Sequence, residues 1–291
     1  MPSTRSVLVV DDSPETRDLI ALTFVGASWA VESAANIGAA ERRLDRGEVD
    51  VLVTGLGTAP SEDVRTLRRI RRRYPKTKVI VLADTHAPQT IVEALKEHAF
   101  SYFTKPFSEE ELHAMVERAL AEPDWDDGIE VLSDKPDWIS VRASCRQLTA
   151  DRLLKFLDEL SVDLGDDDRK NTGAAFREIL MNAIEHGGQF DPAKRVEITR
   201  VRTAAMLMYV VRDPGPGFDF ANLPHAAISS PDDPVRHIAY RDQHGMRAGG
   251  FGLLVAGGLV DELVHNARGN EAVLIKYLSA KTADTSGGIA A

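Results

Sequence analysis

Ser6-Val-Leu-Val-Val-Asp-Asp12 decides how the N-terminal half of the chain folds. Four successive apolar residues, Val7 to Val10, that end in two carboxylates describe a strand buried on both faces whose carboxyl end delivers charge to a sheet edge. The theme returns at Trp29 to Ser33, Val51 to Thr54, Val79 to Leu82 and Ser101 to Thr104. Amphipathic segments lie between these runs. The last spans Glu109 to Ala121, with Ser108 as its N-cap and Glu111 in capping-box position. Strand and helix alternating in this way predict an α/β fold, a doubly wound five-stranded parallel sheet with its ligand site outside the strand carboxyl ends. Asp11-Asp12 closes the first strand and Lys105-Pro106 the fifth, so two carboxylates and one ammonium converge on one edge.

Outward from that unit, Glu122-Pro-Asp-Trp-Asp-Asp-Gly128 is acidic and turn-rich and marks a boundary. The division expected is 1–122 for the first domain, 123–130 for a linker, 131–281 for a second domain and 282–291 for a flexible tail. Beyond the linker, strands are expected at Trp138 to Arg142, Val196 to Arg202, Met206 to Asp213 and Ala272 to Leu278, with helices at Thr149 to Leu164, Asp168 to His186 and Phe251 to Val260. Strands outnumber the helices between them, which predicts an antiparallel α+β layer with helices on one face.

With 291 residues, 43% of them hydrophobic, the chain fills two cores of ordinary size. One cysteine, Cys145, excludes an internal disulfide and a thiolate metal site, and fits a reducing compartment. Met1 to Ser6 lacks the features of an export signal, and no apolar run approaches the roughly 18 to 20 residues that span a bilayer. A soluble cytoplasmic protein without membrane attachment is expected. The formal net charge of −10 argues against nucleic acid as a partner. The basic run Arg68-Arg69-Ile70-Arg71-Arg72-Arg73 is read as the solvated face of a helix.

Val-Leu-Val-Val-Asp-Asp, Asp50-Val-Leu-Val and Tyr102-Phe-Thr-Lys-Pro-Phe107 together resemble the receiver domain of two-component response regulators, a flavodoxin-like fold, from Val7 to about Ala121. The resemblance implies an acidic pair that holds Mg²⁺ beside a phosphate-accepting aspartate, with the lysine and a strand-four hydroxyl on the phosphoryl oxygens. Here the acceptor position falls on Gly55, between Thr54 and Leu56, and the hydroxyl position on Ala83. Without a carboxylate nucleophile no acyl phosphate forms, so a pseudo-receiver is expected; Asp84 is the alternative, displaced acceptor. Asp11, Asp12 and Lys105 then form either an ion pair retained at the strand ends or a residual metal site. Tyr102 matches the family's switch aromatic.

The second half carries Glu178-Ile-Leu-Met-Asn182-Ala-Ile-Glu185-His186-Gly187 on a predicted helix, with Glu178, Asn182 and Glu185 or His186 recurring at helical spacing along an otherwise apolar segment. An Asn amide oxygen is a hard ligand suited to Mg²⁺, though an ordinary buried helix capped by Gly187-Gly188 also fits. Asp213-Pro-Gly215-Pro-Gly217 follows an apolar strand; a carboxylate there can accept from an exocyclic amine while glycines admit a flat base. Arg247-Ala-Gly249-Gly250-Phe251-Gly252 leads into an apolar helix, placing free N–H groups near an anion.

In order and spacing these three motifs resemble the N, G1 and G2 boxes of the GHKL ATPase superfamily, from about Gly128 to Leu278. The resemblance implies a Bergerat-type ATP fold in which Asn182 holds Mg²⁺, Asp213 binds the adenine amine, Gly215 and Gly217 shape the base pocket, and Arg247, Gly250 and Gly252 lie by the phosphates. Ala221 to Met246 becomes a lid, and Glu178 a candidate base. The form Glu-x-x-x-Asn-Ala-x-x-His-Gly is most similar to the anti-sigma-factor serine kinases; the segment Gly128 to His186 holds no earlier histidine to autophosphorylate. A departure is Gly269-Asn270-Glu271 where the superfamily carries Gly-Thr. The function implied is an ATP- and Mg²⁺-dependent protein serine/threonine kinase acting on an antagonist protein, a sigma factor being a further partner, regulated by a phosphorylation-independent receiver. A non-catalytic ATP-gated switch and a kinase domain acting on a histidine in trans are the alternatives. Both domain types pair by analogy, so a homodimer is expected.

Overall fold

The computed structural model describes residues 5–26, 29–56, 60–121, 128–217 and 252–278. In the first unit β1 (Arg5–Val10), β2 (Trp29–Ala34), β3 (Val51–Leu56), β4 (Lys78–Ala83) and β5 (Ser101–Thr104) form a parallel sheet in the order β2-β1-β3-β4-β5. Its helices are α1 (Pro14–Thr23), α2 (Ile37–Leu44), α3 (Pro60–Arg73), α4 (Pro88–Lys96) and α5 (Glu109–Ala121). Every residue of β4 is buried, as the uninterrupted apolar run requires of a central strand covered on both faces. The order reverses between β1 and β3, which places Asp11 and residue 55 together at the sheet's carboxyl edge.

The helix starts follow the capping chemistry. Ser13 accepts from Thr16 N ahead of Pro14, and Asn36 accepts from Ala39 N. At α5 only half of the expected capping box forms. Glu111 N donates to Ser108 Oγ (3.2 Å), but the Ser108 hydroxyl turns to Glu110 (2.8 Å) and the Glu111 carboxylate is drawn to Lys155 (3.1 Å). The basic run lies at the end of α3, where Arg68, Arg69 and Arg73 are exposed and pair with Glu97, Glu41 and Asp45.

The second unit comprises β6 (Ile129–Lys135), β7 (Trp138–Ser144), α6 (Gln147–Glu159), α7 (Asp166–Asn182), a π-turn (Ala183–Gly187), β8 (Arg195–Arg202), β9 (Met206–Arg212), α8 (Gly252–Leu259), β10 (Glu262–His265) and β11 (Glu271–Tyr277). The strands form one antiparallel sheet in the order β10-β11-β9-β8-β7-β6. Alternate residues, among them Ile139, Val141, Ile198, Leu207, Tyr209, Val211 and Leu274, are buried on a single face. Two strands escape the sequence reading: β6 begins at Ile129, inside the stretch expected as linker, and β10 has four residues. The helix expected to reach Leu164 ends at Glu159, beyond which the chain tightens into turns closed by Ser161 N donating to Asp158 O (2.9 Å) and Leu164 N to Ser161 O (3.1 Å). The helix expected to continue to His186 widens into the π-turn after Asn182.

The two units share an interface formed by β5, α4 and α5 on one side and α6 and β6 on the other. Arg152 of α6 is fully buried and donates to the carbonyls of Ala99 (2.9 Å) and Phe100 (2.8 Å). Glu159, at the end of α6, accepts from Thr104 Oγ1 (2.7 Å) and Thr104 N (3.2 Å), while its carbonyl accepts from His86 Nε2 (2.7 Å). Lys155 bridges Glu159 (3.0 Å) and Glu111 and lies over the Phe103 ring. Leu95 and Ala99 share one apolar cluster with Ile129, Leu153 and Phe156, so the core runs through the boundary.

Candidate nucleotide site and the altered carboxyl edge

At the first unit's carboxyl edge Asp11 is buried and its Oδ2 accepts from Lys105 Nζ (2.7 Å); the same ammonium reaches Asp84 Oδ1 (2.8 Å). Burial alone pulls the Lys105 pKa down, but the hydrogen bonds it donates to Asp11 and Asp84 outweigh it and hold the pKa above the ordinary lysine value. The retained ion pair is therefore Asp11–Lys105–Asp84. Asp12 is exposed, and its backbone carbonyl accepts from Arg17 (3.1 Å); the expected pairing of Asp12 with Lys105 is not formed, because strand alternation turns it from Asp11's side. A Cβ on Gly55 would lie 2.5 Å from Asp11 Oδ2, so Asp11 occupies the space in which a residue-55 side chain begins. Ala83 and Tyr102 are buried.

In the second unit, α7 carries Glu178 and Asn182, both half-buried, to the edge where β9 ends. The π-turn follows, closed by Gly188 N donating to Ala183 O (2.8 Å). Its extra residue takes Glu185 and His186 off the row set by Glu178 and Asn182, and both are exposed rather than aligned with them. The turn carries Gly187 against Asp213: a side chain at 187 would begin 2.3 Å from Asp213 Oδ1, so only glycine permits the approach. Asp213 Oδ1 also accepts from Gly215 N (2.7 Å). Burial raises the Asp213 pKa above the usual aspartate value, opposed by the Gly215 N–H and the Arg268 charge.

Two supports were not singled out from sequence. Asn270 holds the strand end from outside, its carbonyl accepting from Asp213 N (3.0 Å) and its side-chain amide donating to Asp213 O (3.4 Å). Arg268 Nε donates to Pro216 O (3.1 Å), and Gly217, at φ +81°, passes so close to Arg268 O that a Cβ would sit 1.9 Å from it. The signal for Asn270 was visible as the departure from Gly-Thr, though not its role. Cys145 packs its Sγ against Gly188 behind the turn, and burial raises its thiol pKa.

On the third side, Gly252 opens α8 over α7: a Cβ there would meet Glu178 Oε2 at 2.6 Å and Asn182 Nδ2 at 3.8 Å. Gly252 thus lies against Glu178 and Asn182, and Gly187 and Gly215 lie against Asp213. Arg247, Gly250 and the stretch 221–246 expected as a lid lie outside the described residues. The arrangement fits an adenine nucleotide: a half-buried carboxylate faces a glycine floor, an amide oxygen donor stands one helical turn from a carboxylate, and a helix begins beside both. Among the described residues no group of three or more His, Cys, Asp or Glu is arranged to hold a metal.

Comparison with known proteins also finds two domains. Residues 7–117 match the model of the response regulator receiver domain, and residues 141–276 that of the histidine kinase-like ATPase domain. The response regulator protein PilR of Pseudomonas aeruginosa is 30% identical over 118 residues, which is 40% of this chain and 26% of that protein. The DNA-binding transcriptional regulator NtrC of Bradyrhizobium is also 30% identical, over 40% of this chain and 25% of that protein. The chain thus spans about a quarter of the length of these relatives. Among solved structures, a response regulator from Thermotoga maritima is 29% identical and covers 40% of this chain and 98% of its own, with a TM-score of 0.38. A receiver domain of an HD domain-containing protein from Pseudomonas fluorescens is 22% identical, covering 41% and 96%, with a TM-score of 0.38.

Proposed function

From a chain that joins a response regulator receiver domain at 7–117 to a histidine kinase-like ATPase domain at 141–276, we propose a signalling protein that binds ATP with Mg²⁺ and phosphorylates serine or threonine on a partner protein. The reading is supported by two close approaches at the motif glycines, Gly187 and Gly215 against Asp213 and Gly252 against Glu178 and Asn182. Asp213 accepts the adenine amine, and burial, which raises its pKa, shields that hydrogen bond from water. Asn182 offers the metal its amide oxygen. Glu178, one turn earlier, accepts the proton of, and orients, the attacking hydroxyl. Bound Mg²⁺ supplies charge neutralisation at the phosphates. Calorimetry with Mg·ATP is expected to give saturable heat that Asn182→Ala abolishes. Labelled ATP with candidate antagonist proteins is expected to yield acid-stable, base-labile phosphate on the partner; binding without transfer sinks the kinase assignment.

A second reading, a non-catalytic ATP-gated switch, is favoured by Asn270 in place of threonine and by the docking of α6 on β5. Glu178→Gln separates the two. Signalling that survives this substitution but not Asn182→Ala belongs to a switch; loss of both belongs to a kinase. Regulation by the first domain runs through docking rather than an aspartyl phosphate: Gly55 supplies no nucleophile, and Thr104, which binds Glu159 of α6, is the residue before Lys105. Phosphate incorporation from a small phosphodonor into the first domain overturns that part.

A further inference from the structure

The outer side of α3 carries five arginines on one face. Arg65, Arg68, Arg69, Arg72 and Arg73 recur at three- and four-residue spacing, while Leu67 and Ile70, on the other side of the helix, are buried. The five side chains line a cleft of about 420 Å³ to which no other described residue contributes. Three of them are already held in place. Arg68 donates through Nε and Nη2 to Glu97, Arg69 through Nε to Glu41 (2.7 Å), and Arg73 through Nη2 to Asp45 (2.9 Å). The side chains of Glu97 and Glu41 are 15% and 20% exposed against 55% and 51% for their arginines, so these acids lie beneath the cations. Arg68 Nη1, Arg73 Nη1 and both terminal nitrogens of Arg69 keep N–H groups without a hydrogen bond among the described residues. Arg65 and Arg72 are exposed and make no ion pair among the described residues.

We propose that this face of α3 binds a phosphorylated serine or threonine in a segment of another protein. Charge decides the class of partner. Five guanidinium groups against three contacting carboxylates leave an excess of two positive charges, with Glu93 acting on Arg68 only at longer range. A phosphomonoester carries about −1.5 to −2 at pH 7, so a single such group matches that excess. A duplex engaged through about six to ten phosphates demands more cations than α3 offers, on a chain whose net charge is −10. Geometry points the same way. Guanidinium forks hold phosphate oxygens in pairs, and arginine clusters are a recurring means of recognising phosphorylated segments. Because Glu97, Glu41 and Asp45 already restrain three of the forks, less side-chain freedom is lost on binding. Exposed ion pairs of this kind are weak, so they give way to a stronger anion at little cost. The methylene stems of the same arginines can cover the peptide on either side of the phosphate. The site lies in the first unit and does not depend on the ATP reading of the second.

Fluorescence anisotropy of a short labelled Gly–Ala peptide with one central phosphoserine, titrated with the full chain in the absence of nucleotide, tests this. Saturable binding is expected, weakened at least about 10-fold when serine replaces the phosphoserine. The same loss is expected on combining Arg65→Gln with Arg72→Gln, a variant whose melting temperature stays unchanged because neither side chain has an ion pair to lose. Lys170→Gln, which removes an exposed cation from α7, is expected to leave the affinity as it was. Absence of binding by the phosphopeptide overturns the proposal, as does binding that survives the double substitution. A peptide with two glutamates in place of the phosphoserine that binds equally well overturns it by making the face a general acceptor of acidic segments. An oligonucleotide that binds more tightly than the phosphopeptide through the same arginines overturns it in favour of nucleic acid. None of these results bears on whether Mg·ATP binds.

Discussion

Gly55 and Asp213 show how single positions set what each domain can do. Restoring a carboxylate by Gly55→Asp is expected to leave the first domain unlabelled by a small phosphodonor such as acetyl phosphate and to lower the melting temperature. The new Cβ begins 2.5 Å from Asp11 Oδ2 and 3.3 Å from Val10 O, and places an acid beside an acid. Labelling of that variant at the level of a working receiver contradicts the geometry. At Asp213 burial raises the pKa, so ionising it costs the fold some stability as pH rises from the unfolded value through the higher folded one. Asp213→Asn is therefore expected to keep or raise the nucleotide-free melting temperature while weakening ATP binding by about 10- to 100-fold, the size of a lost charge-assisted hydrogen bond. Calorimetry and thermal unfolding on one sample check both halves. Glu178, Asn182 and Asp213 stand out in sequence because each has a chemistry that its spacing exposes. Glu185 and His186 were misplaced because sequence periodicity assumes 3.6 residues per turn, and the π-turn breaks that count. Asn270 escaped because it acts on the backbone of Asp213 rather than on a ligand.

Among elements, the inner parallel strands β1 and β4 were readable because burial on both faces leaves continuous apolar runs. β6 was not: Glu130, Ser133 and Asp134 interrupt it, and a bulge between Val131 and Ser133 breaks its alternation. β10 is too short to display a period. That strand ends at His265, whose burial lowers its pKa to about 4. The neutral ring is favoured in the fold, so the unfolded chain takes up more protons between about pH 6.5 and 4, and stability contributed by His265 is lost as pH falls through that window. His265→Gln is expected to flatten this part of the pH–melting profile relative to wild type; parallel profiles for the two proteins refute the assignment.

Across the whole molecule, the apolar core and the hydrogen bonds of Arg152 and Glu159 run through the boundary that the acidic linker composition suggested was a break. Composition reports chain flexibility; it says nothing of surfaces that meet after folding, which is why the docking of α6 on β5 could not be anticipated. A single calorimetric transition is expected for the full chain, with calorimetric and van't Hoff enthalpies equal. Glu159→Ala is expected to remove about 1–3 kcal/mol and to split the transition in two; two peaks already in the wild type mean that the domains unfold independently.

Lys105 already holds a second anion, on a tether. Both of its anions, Asp11 and Asp84, belong to the chain itself. Thr104, the neighbour of Lys105, is itself held by Glu159 of α6, so the ammonium and the domain contact sit on adjacent residues of one strand end.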